Sequence, residues 1–163
     1  MTTTIEELEA RLEALEAERA AARDREAVIA RLLAYSRTID LGQHEEWIAC
    51  FSADGAFEMR SHLENYPSRR RVEGRAELAD FIATHTGPPE TFHKHLYLMP
   101  EVAVDGNAAH AAGYFVHLVD DESGSPILQS YGRYRDTLVR DAEAGWLIRE
   151  RIAEIEGSTG AQR

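Results

Sequence analysis

The chain has 163 residues, 44% hydrophobic and 29% charged, which is ordinary for one soluble globular domain with a buried core. Acidic residues outnumber basic ones 29 to 18, and the formal charge of -11 disfavours a phosphate backbone as partner. No apolar run approaches the roughly 20 residues that span a bilayer, and the N-terminus lacks the apolar core of a signal peptide. The expectation is a cytoplasmic protein with no nucleic-acid and no membrane partner.

Residues 1–36 read as one long helix or two in tandem. Thr3 or Thr4 caps the start, and Glu6 and Glu7 occupy the first turn, where the helix dipole favours negative charge. Ile5, Leu8, Leu12 and Leu15 form one stripe, but Arg19 and Ala22 follow at the next seam positions, so the seam is too short for a free coiled coil. A new apolar face begins at Val28, Ile29, Leu32 and Leu33 and runs on to Tyr35 and Asp40. Gly42 ends this helix. His44–Phe51 predicts a short amphipathic helix with Trp47, Ile48 and Phe51 toward the core, and the lone Cys50 in that pattern reads as a small core residue.

Asp54-Gly55 signals a turn before a strand over Ala56–Arg60. Residues 61–74 read as a loop, with Asn65, Tyr66-Pro67, Ser68 and the basic run Arg69-Arg70-Arg71, and with a short strand near Val72. Arg75–Thr84 predicts a helix burying Leu78, Phe81 and Ile82, stopped by Gly87-Pro88-Pro89. The period then changes. His93–Val104, Ala108–Val119, Ile127–Val139 and Trp146–Ile155 read as long strands, joined by turns at Asp105-Gly106, Ser123–Pro126 and Ala144-Gly145. Helices first and an antiparallel meander afterwards predict an α+β fold, a curved sheet wrapped over helices. The expected division is a helical extension over 1–25, a domain over 26–157 and a flexible tail over 158–163.

Seven histidines are present, and placement matters more than number. His93 and His95 lie two apart on a strand, so both face one side, with Tyr97 following on that side. Such a pair can ligate a metal, but no further ligand at convincing spacing accompanies it, and no metal is assigned. General acid/base chemistry needs one imidazole and a carboxylate to orient it. Asp40 is the carboxylate of choice, although it reads equally as a residue that terminates the helix. His110 and His117 have opposite parity, so at most one faces inward, according to the length of the Asp105-Gly106 turn. His44, His62 and His85 read as solvent-facing, and Asp136 and Asp141 as strand-edge or turn residues.

The stretch Tyr35-Ser-Arg-Thr-Ile-Asp40-Leu-Gly, followed by Trp47–Phe51 and Asp54-Gly55, resembles the start of the SnoaL-like group in the nuclear transport factor two-like superfamily. Val72-Glu-Gly-Arg75, Thr91-Phe-His-Lys-His95, Val104-Asp-Gly-Asn-Ala108, Gly132-Arg-Tyr134 and Gly145-Trp-Leu-Ile-Arg149-Glu-Arg151 continue the resemblance, which covers roughly residues 26–156. It implies a cone-shaped antiparallel sheet around one deep apolar pocket. In members of the scytalone dehydratase, lindane dehydrochlorinase and bile-acid dehydratase type, an Asp-His pair eliminates water or chloride from cyclic substrates without a cofactor.

Carried onto this sequence, the resemblance makes Asp40 and His95 the catalytic pair, with Tyr35 and Arg151 as further catalytic groups. Asp40 would fix the His95 tautomer and stabilise the imidazolium, so that His95 titrates above its ordinary value. Tyr35 would hydrogen-bond a departing hydroxyl or an enolate oxygen. Arg151 would neutralise charge on the substrate, or else sit at the surface paired with Glu150 or Glu154. His93, Tyr97, Tyr114 and Trp47 would shape the substrate pocket. The expected function is a cofactor-independent lyase or isomerase acting on a small apolar cyclic molecule. The same fold also serves polyketide cyclases and dioxygenase small subunits, so a cyclase or a non-catalytic assembly subunit is the alternative. A homo-oligomer is expected, a trimer rather than a dimer.

Overall fold

The structure, a computed structural model, describes residues 4–64 and 69–159. Thr3 as an alternative cap, the loop residues 65–68 and the tail residues 160–163 lie outside the described residues. Helix α1 (Ile5–Asp40) is a single helix that runs unbroken through residue 25. Thr4 caps it with a capping box: its hydroxyl accepts from the Glu7 amide, and the Glu7 carboxylate accepts from the Thr4 amide. Burial begins at Val28; the preceding turns, with Ile5, Leu8, Leu12 and Leu15, stand in solvent.

Two further helices, α2 (His44–Ile48) and α3 (Gly74–Ile82), lie with the second half of α1 inside a curved sheet of six strands. The strands are β1 (Phe51–Ser61), β2 (Arg69–Glu73), β3 (His93–Asp105), β4 (Ala108–Asp120), β5 (Pro126–Asp141) and β6 (Gly145–Ser158). Their order across the sheet is β2-β1-β6-β5-β4-β3. All neighbours are antiparallel except β1 and β6, which run parallel, so the sheet is mixed where a purely antiparallel one is expected. The parallel pair follows from the path of the chain: β1 is reached from the helices and β6 from the end of the meander.

Asp54-Gly55 is not a turn. Strand β1 continues through it, and the pair forms an irregularity against β6 between Phe51 and Ala56. A Cβ on Gly55 would stand 2.8 Å from the Phe51 Cβ and 2.9 Å from the Ile148 carbonyl oxygen, so a bulge with glycine replaces the expected turn. A second irregularity, between Leu98 and Glu101 with Met99 at φ 52°, reverses which residues of β3 face inward. Tyr97 points into the cone before it and Val102 after it. Such bulges increase strand bend and twist, which an open sheet needs in order to curl around helices.

The core fills the concave side: Val28, Leu32, Tyr35 and Ile39 of α1 meet Trp47, Phe51, Phe57, Phe81, Phe115, Tyr134 and Ile148. Arg31 ties α1 to the start of β6 by donating from Nε to the Trp146 carbonyl at 2.6 Å. At the other end of the helix, Gly42 and Gly87 lie so close that a Cβ on Gly87 would sit 3.0 Å from the Gly42 Cα. This contact folds the loop after α3 back over the C-terminus of α1, beside the start of β3.

Candidate active site

Asp40 is the last residue of α1 and is buried; His95 is the third residue of β3 and faces into the cone. One Asp40 oxygen, Oδ1, lies 2.7 Å from His95 Nδ1 and 3.0 Å from the His95 amide, which also donates to Oδ2 at 3.1 Å. A carboxylate only accepts, so Nδ1 carries the proton and Nε2 is left as the lone-pair nitrogen. Among the described residues Nε2 has no protein partner. Burial pulls the His95 imidazole below its ordinary value of 6.5, against the upward pull of the Asp40 hydrogen bond and charge. The expectation of a raised value is therefore corrected: desolvation outweighs the carboxylate, and the ring is neutral at pH 7.

His93 donates from Nε2 to the Ile39 carbonyl at 3.1 Å and so pins β3 to the end of α1. His117, directly opposite His95 on β4, stacks on it with ring centroids 4.1 Å apart and planes 16° apart. The hairpin loop is the two residues Gly106-Asn107, which settles the parity: His117 faces inward and His110 outward. Burial, then the neighbouring His95 and His93, lower the His117 imidazole to about 3. His85 is not solvent-facing either. It follows α3 by three residues, packs against Phe81 at 4.8 Å and is lowered by burial. The return of the chain at Gly87 turns it inward, and no local pattern in the sequence reports that return.

These rings border two connected spaces. An inner cavity of about 140 Å³ is walled by Tyr35, Phe57, Met59, Phe115, Tyr134 and Ile155 together with His85, His95 and His117. An outer vestibule of about 590 Å³ lies between the loop after α3 and the β4–β5 turn, and shares the same three histidines. The inner space is close to a cavity of about 150 Å³ that holds one benzene ring, and the vestibule is of ordinary ligand size. A third groove of about 630 Å³ lies on the outer face by His110, Arg135 and Glu150, away from these imidazoles.

The other expected site residues separate into walls, supports and outsiders. Tyr35 is a wall, and burial first, then the charge it would share with Tyr134, raises its phenol well above 10, so it is a neutral donor. Arg151 is fully buried and neither a surface residue nor a free cation facing the substrate. It donates to Asp136 from Nε at 2.6 Å and from Nη2 at 3.1 Å, and its guanidinium lies 4.0 Å from the Tyr35 ring centre and 4.3 Å from that of Tyr134. Burial alone would lower its guanidinium pKa, but the Asp136 carboxylate holds it raised.

Asp136, expected at a strand edge, is thus a buried counter-ion. It is paired in register with Arg151 across β5 and β6, and it accepts from Tyr97 Oη at 3.1 Å. Tyr97 therefore supports the floor from behind, and is not among the residues lining the cavity. Trp47 packs on Tyr35, Phe51 and Phe81 one layer away from the cavity. Tyr114 stands 53% exposed on the outer face, because it alternates with Phe115, which faces in.

Ligand atoms of Asp40, His93 and His95 lie within 4.8 Å of one another, so the fold supplies a third donor from α1 that strand spacing does not reveal. Two of the three are committed elsewhere: His93 Nε2 donates to Ile39, and His95 Nδ1 donates to Asp40. A cation there would have to displace both protons. The arrangement as it stands is that of an oriented neutral base.

The family model of the SnoaL-like domain matches residues 20–152. The chain belongs to the SnoaL-like family. No curated protein matches it. An NTF2-like protein with a cystatin-like fold from Novosphingobium aromaticivorans is 25% identical, with a TM-score of 0.69, over 99% of this chain and 96% of that one. A candidate beta subunit of an aromatic-ring-hydroxylating dioxygenase from the same organism is 18% identical, with a TM-score of 0.70, over 86% and 92%. ActVI-ORFA from Streptomyces coelicolor is 18% identical, with a TM-score of 0.64, over 79% and 95%. The last two likenesses are of fold. This SnoaL-like chain has the NTF2-like cone, and no helix among its described residues is long and apolar enough to cross a membrane.

Proposed function

We propose that the protein is a cofactor-independent lyase or isomerase of dehydratase type, acting on a small apolar cyclic molecule by general acid/base catalysis. The observation that carries this reading is the 2.7 Å contact between His95 Nδ1 and Asp40, which leaves Nε2 without a protein partner at the junction of the two cavities. A ring in the inner cavity would bring a C–H bond beside a carbonyl to Nε2. His95 takes that proton, Asp40 stabilises the imidazolium, and the C–H electron pair becomes an enolate or a new double bond. In elimination the departing hydroxyl leaves as water with a proton returned from His95. Tyr35 donates a hydrogen bond to the oxygen that gains charge.

Arg151 works from beneath. Its charge is neutralised by Asp136, and it holds Tyr35 and Tyr134 from the protein side. The apolar walls exclude water and strengthen these interactions. Hydroxylated cyclic ketones, assayed for loss of water with wild type, Asp40→Asn and His95→Ala, test the reading. Each substitution is expected to lower turnover about 10²–10⁴-fold with the fold intact. Unchanged turnover in both would overturn it.

A non-catalytic ligand-binding or assembly subunit is the second reading, favoured by the solvent-exposed stripe Ile5, Leu8, Leu12 and Leu15 and by the likeness to a dioxygenase beta subunit. In that case a larger partner co-purifies and Asp40→Asn changes little. A polyketide-cyclase-like ring closure would use the same base, and product analysis with a poly-β-keto substrate separates it. All three readings go with a homo-oligomer, a trimer favoured over a dimer.

A further inference from the structure

Two parallel rows run through the solvent-exposed first half of α1. Ile5, Leu8, Leu12 and Leu15 form the apolar row, and Glu6, Glu9, Glu13 and Glu16 repeat its 3-4-3 spacing one residue later, about 100° further round the helix. Residues 5–18 hold six glutamates and one arginine. The four glutamates of the row are exposed, and among the described residues none of them pairs with a cation.

A cleft of about 770 Å³ on the outer face of the sheet carries the complementary pattern. Arg60 of β1, Arg69 of β2, and Arg133 and Arg135 of β5 line it, with side chains 41–64% exposed. Leu63 and Tyr131 give it an apolar floor, which continues into a neighbouring hollow of about 280 Å³ at Leu128. Arg60 and Arg69 hold the buried Glu58 at 2.5 and 2.7 Å, and Arg71 reaches the same carboxylate at 3.1 Å. Arg133 holds Glu156 at 2.5 Å, and Arg135 holds Glu154 at 2.7 Å. A guanidinium has five N–H donors, so these carboxylates leave donors over at the surface. Arg70, paired with Met59, faces the other way, onto Phe81, and takes no part.

We propose that the first half of α1 docks in this cleft on a second copy of the chain, leucines on the apolar floor and glutamates on the arginines. The dimensions agree. Glu6 to Glu16 spans about 15 Å of helix, and the arginines stretch from β2 across β1 and β6 to β5, three strand spacings or about 14 Å. A helix is about 10 Å across, so it lies over the cleft at right angles to the strands and inserts side chains only. The leucines supply buried area, and the ion pairs select the partner. Two chains of formal charge -11 repel at long range, so copies associate where local surfaces oppose in sign. The occupant is a second copy because α1 is unbroken and its first half cannot fold back on its own domain.

The test uses the whole chain. Light scattering should give wild type a molar mass that is a multiple of one chain. Glu9→Arg with Glu13→Arg and Glu16→Arg, on a surface in solvent, should reduce it to that of one chain with melting unchanged. The contact itself is read by carbodiimide coupling, which joins carboxylates to lysines. The chain has one lysine, Lys94, so Arg133→Lys with Arg135→Lys adds a reporter and keeps the charge. In a mixture of isotope-labelled and unlabelled protein, mass spectrometry should find amides from the glutamate row of one copy to position 133 or 135 of the other.

A single-chain mass for wild type, a triple variant that keeps its assembly, or coupling of the row to Lys94 or to a larger co-purifying protein in place of 133 and 135 would overturn the proposal. The acid/base reading lies inside the cone and is tested by turnover, so either fails without the other.

Discussion

Asp136 takes two hydrogen bonds from Arg151, at 2.6 and 3.1 Å, in an interior where both side chains are fully buried. Neither charge can reach water, and the Tyr35, Tyr97 and Tyr134 rings close around the guanidinium. Removing one partner leaves an uncompensated charge under the cavity floor. Asp136→Ala should therefore lower unfolding stability by about 3–5 kcal/mol in urea titrations. The double variant Asp136→Leu, Arg151→Met should recover most of that loss. A cost below about 1 kcal/mol for the single change would contradict the pairing.

Placement also sorts the tyrosines. Tyr35→Phe keeps the ring on Arg151 but removes the hydroxyl at the cavity wall, so turnover should fall while melting stays near wild type. Tyr114→Ala, on the outer face, should leave turnover unchanged. Steady-state assays with the best hydroxylated ketone check both, and equal effects of the two changes would contradict the assignment of inner and outer faces.

Stability should depend on pH with a definite sign. His85, His95 and His117 are all lowered by burial, His117 to about 3 from 6.5, so between these values the unfolded chain binds more protons than the folded one. The contribution of His117 is present above pH 6.5 and is lost as pH falls toward about 3, and those of His85 and His95 are lost in the same direction. Glu58 acts lower down. Its hydrogen bond to Arg60, against the opposing effect of burial, and then those to Arg69 and Arg71 hold its carboxyl at about 2. That contribution is present above 4.5 and is lost as pH falls through about 2. Urea unfolding of His117→Gln across this range should show a shallower slope above pH 4.5 than wild type. An unchanged slope would contradict the buried neutral ring.

Much of this arrangement is legible in the sequence, for physical reasons that can be named. Strict alternation puts His93, His95 and Tyr97 on one face of β3, and the apolar face of α1 leads to Asp40. What escapes local pattern is whatever depends on register or on a chain reversal. Asp136 meets Arg151 only because β5 and β6 pair at one offset between two bulges. His85 turns inward only because Gly87 packs on Gly42. The Glu58 cluster needs β2 placed beside β1, and the opposite facing of Arg70 follows from that same pairing. The bulge at Met99 reverses parity midway along β3, where sequence alternation alone would carry it through.

The exposed half of α1 bears on assembly. Ile5, Leu8, Leu12 and Leu15 are 54–75% exposed on a helix held to the domain only from about Asp24 onward, where Asp24 meets Arg140 at 2.6 Å. If the stripe is an assembly surface, Leu8→Glu with Leu12→Glu lowers the molar mass measured by light scattering and leaves the melting of the domain unchanged. An unchanged mass with these two charges in place assigns the oligomer to another surface.

The most direct measurement is the pKa of His95 by NMR in wild type and in Asp40→Asn. The account predicts a wild-type value below 6.5, because burial exceeds the pull of Asp40, and a further fall when the carboxylate is replaced. An Asp40→Asn protein that stays folded with His95 unmoved would show that the two groups are not coupled, and would remove the oriented base on which the proposed catalysis depends.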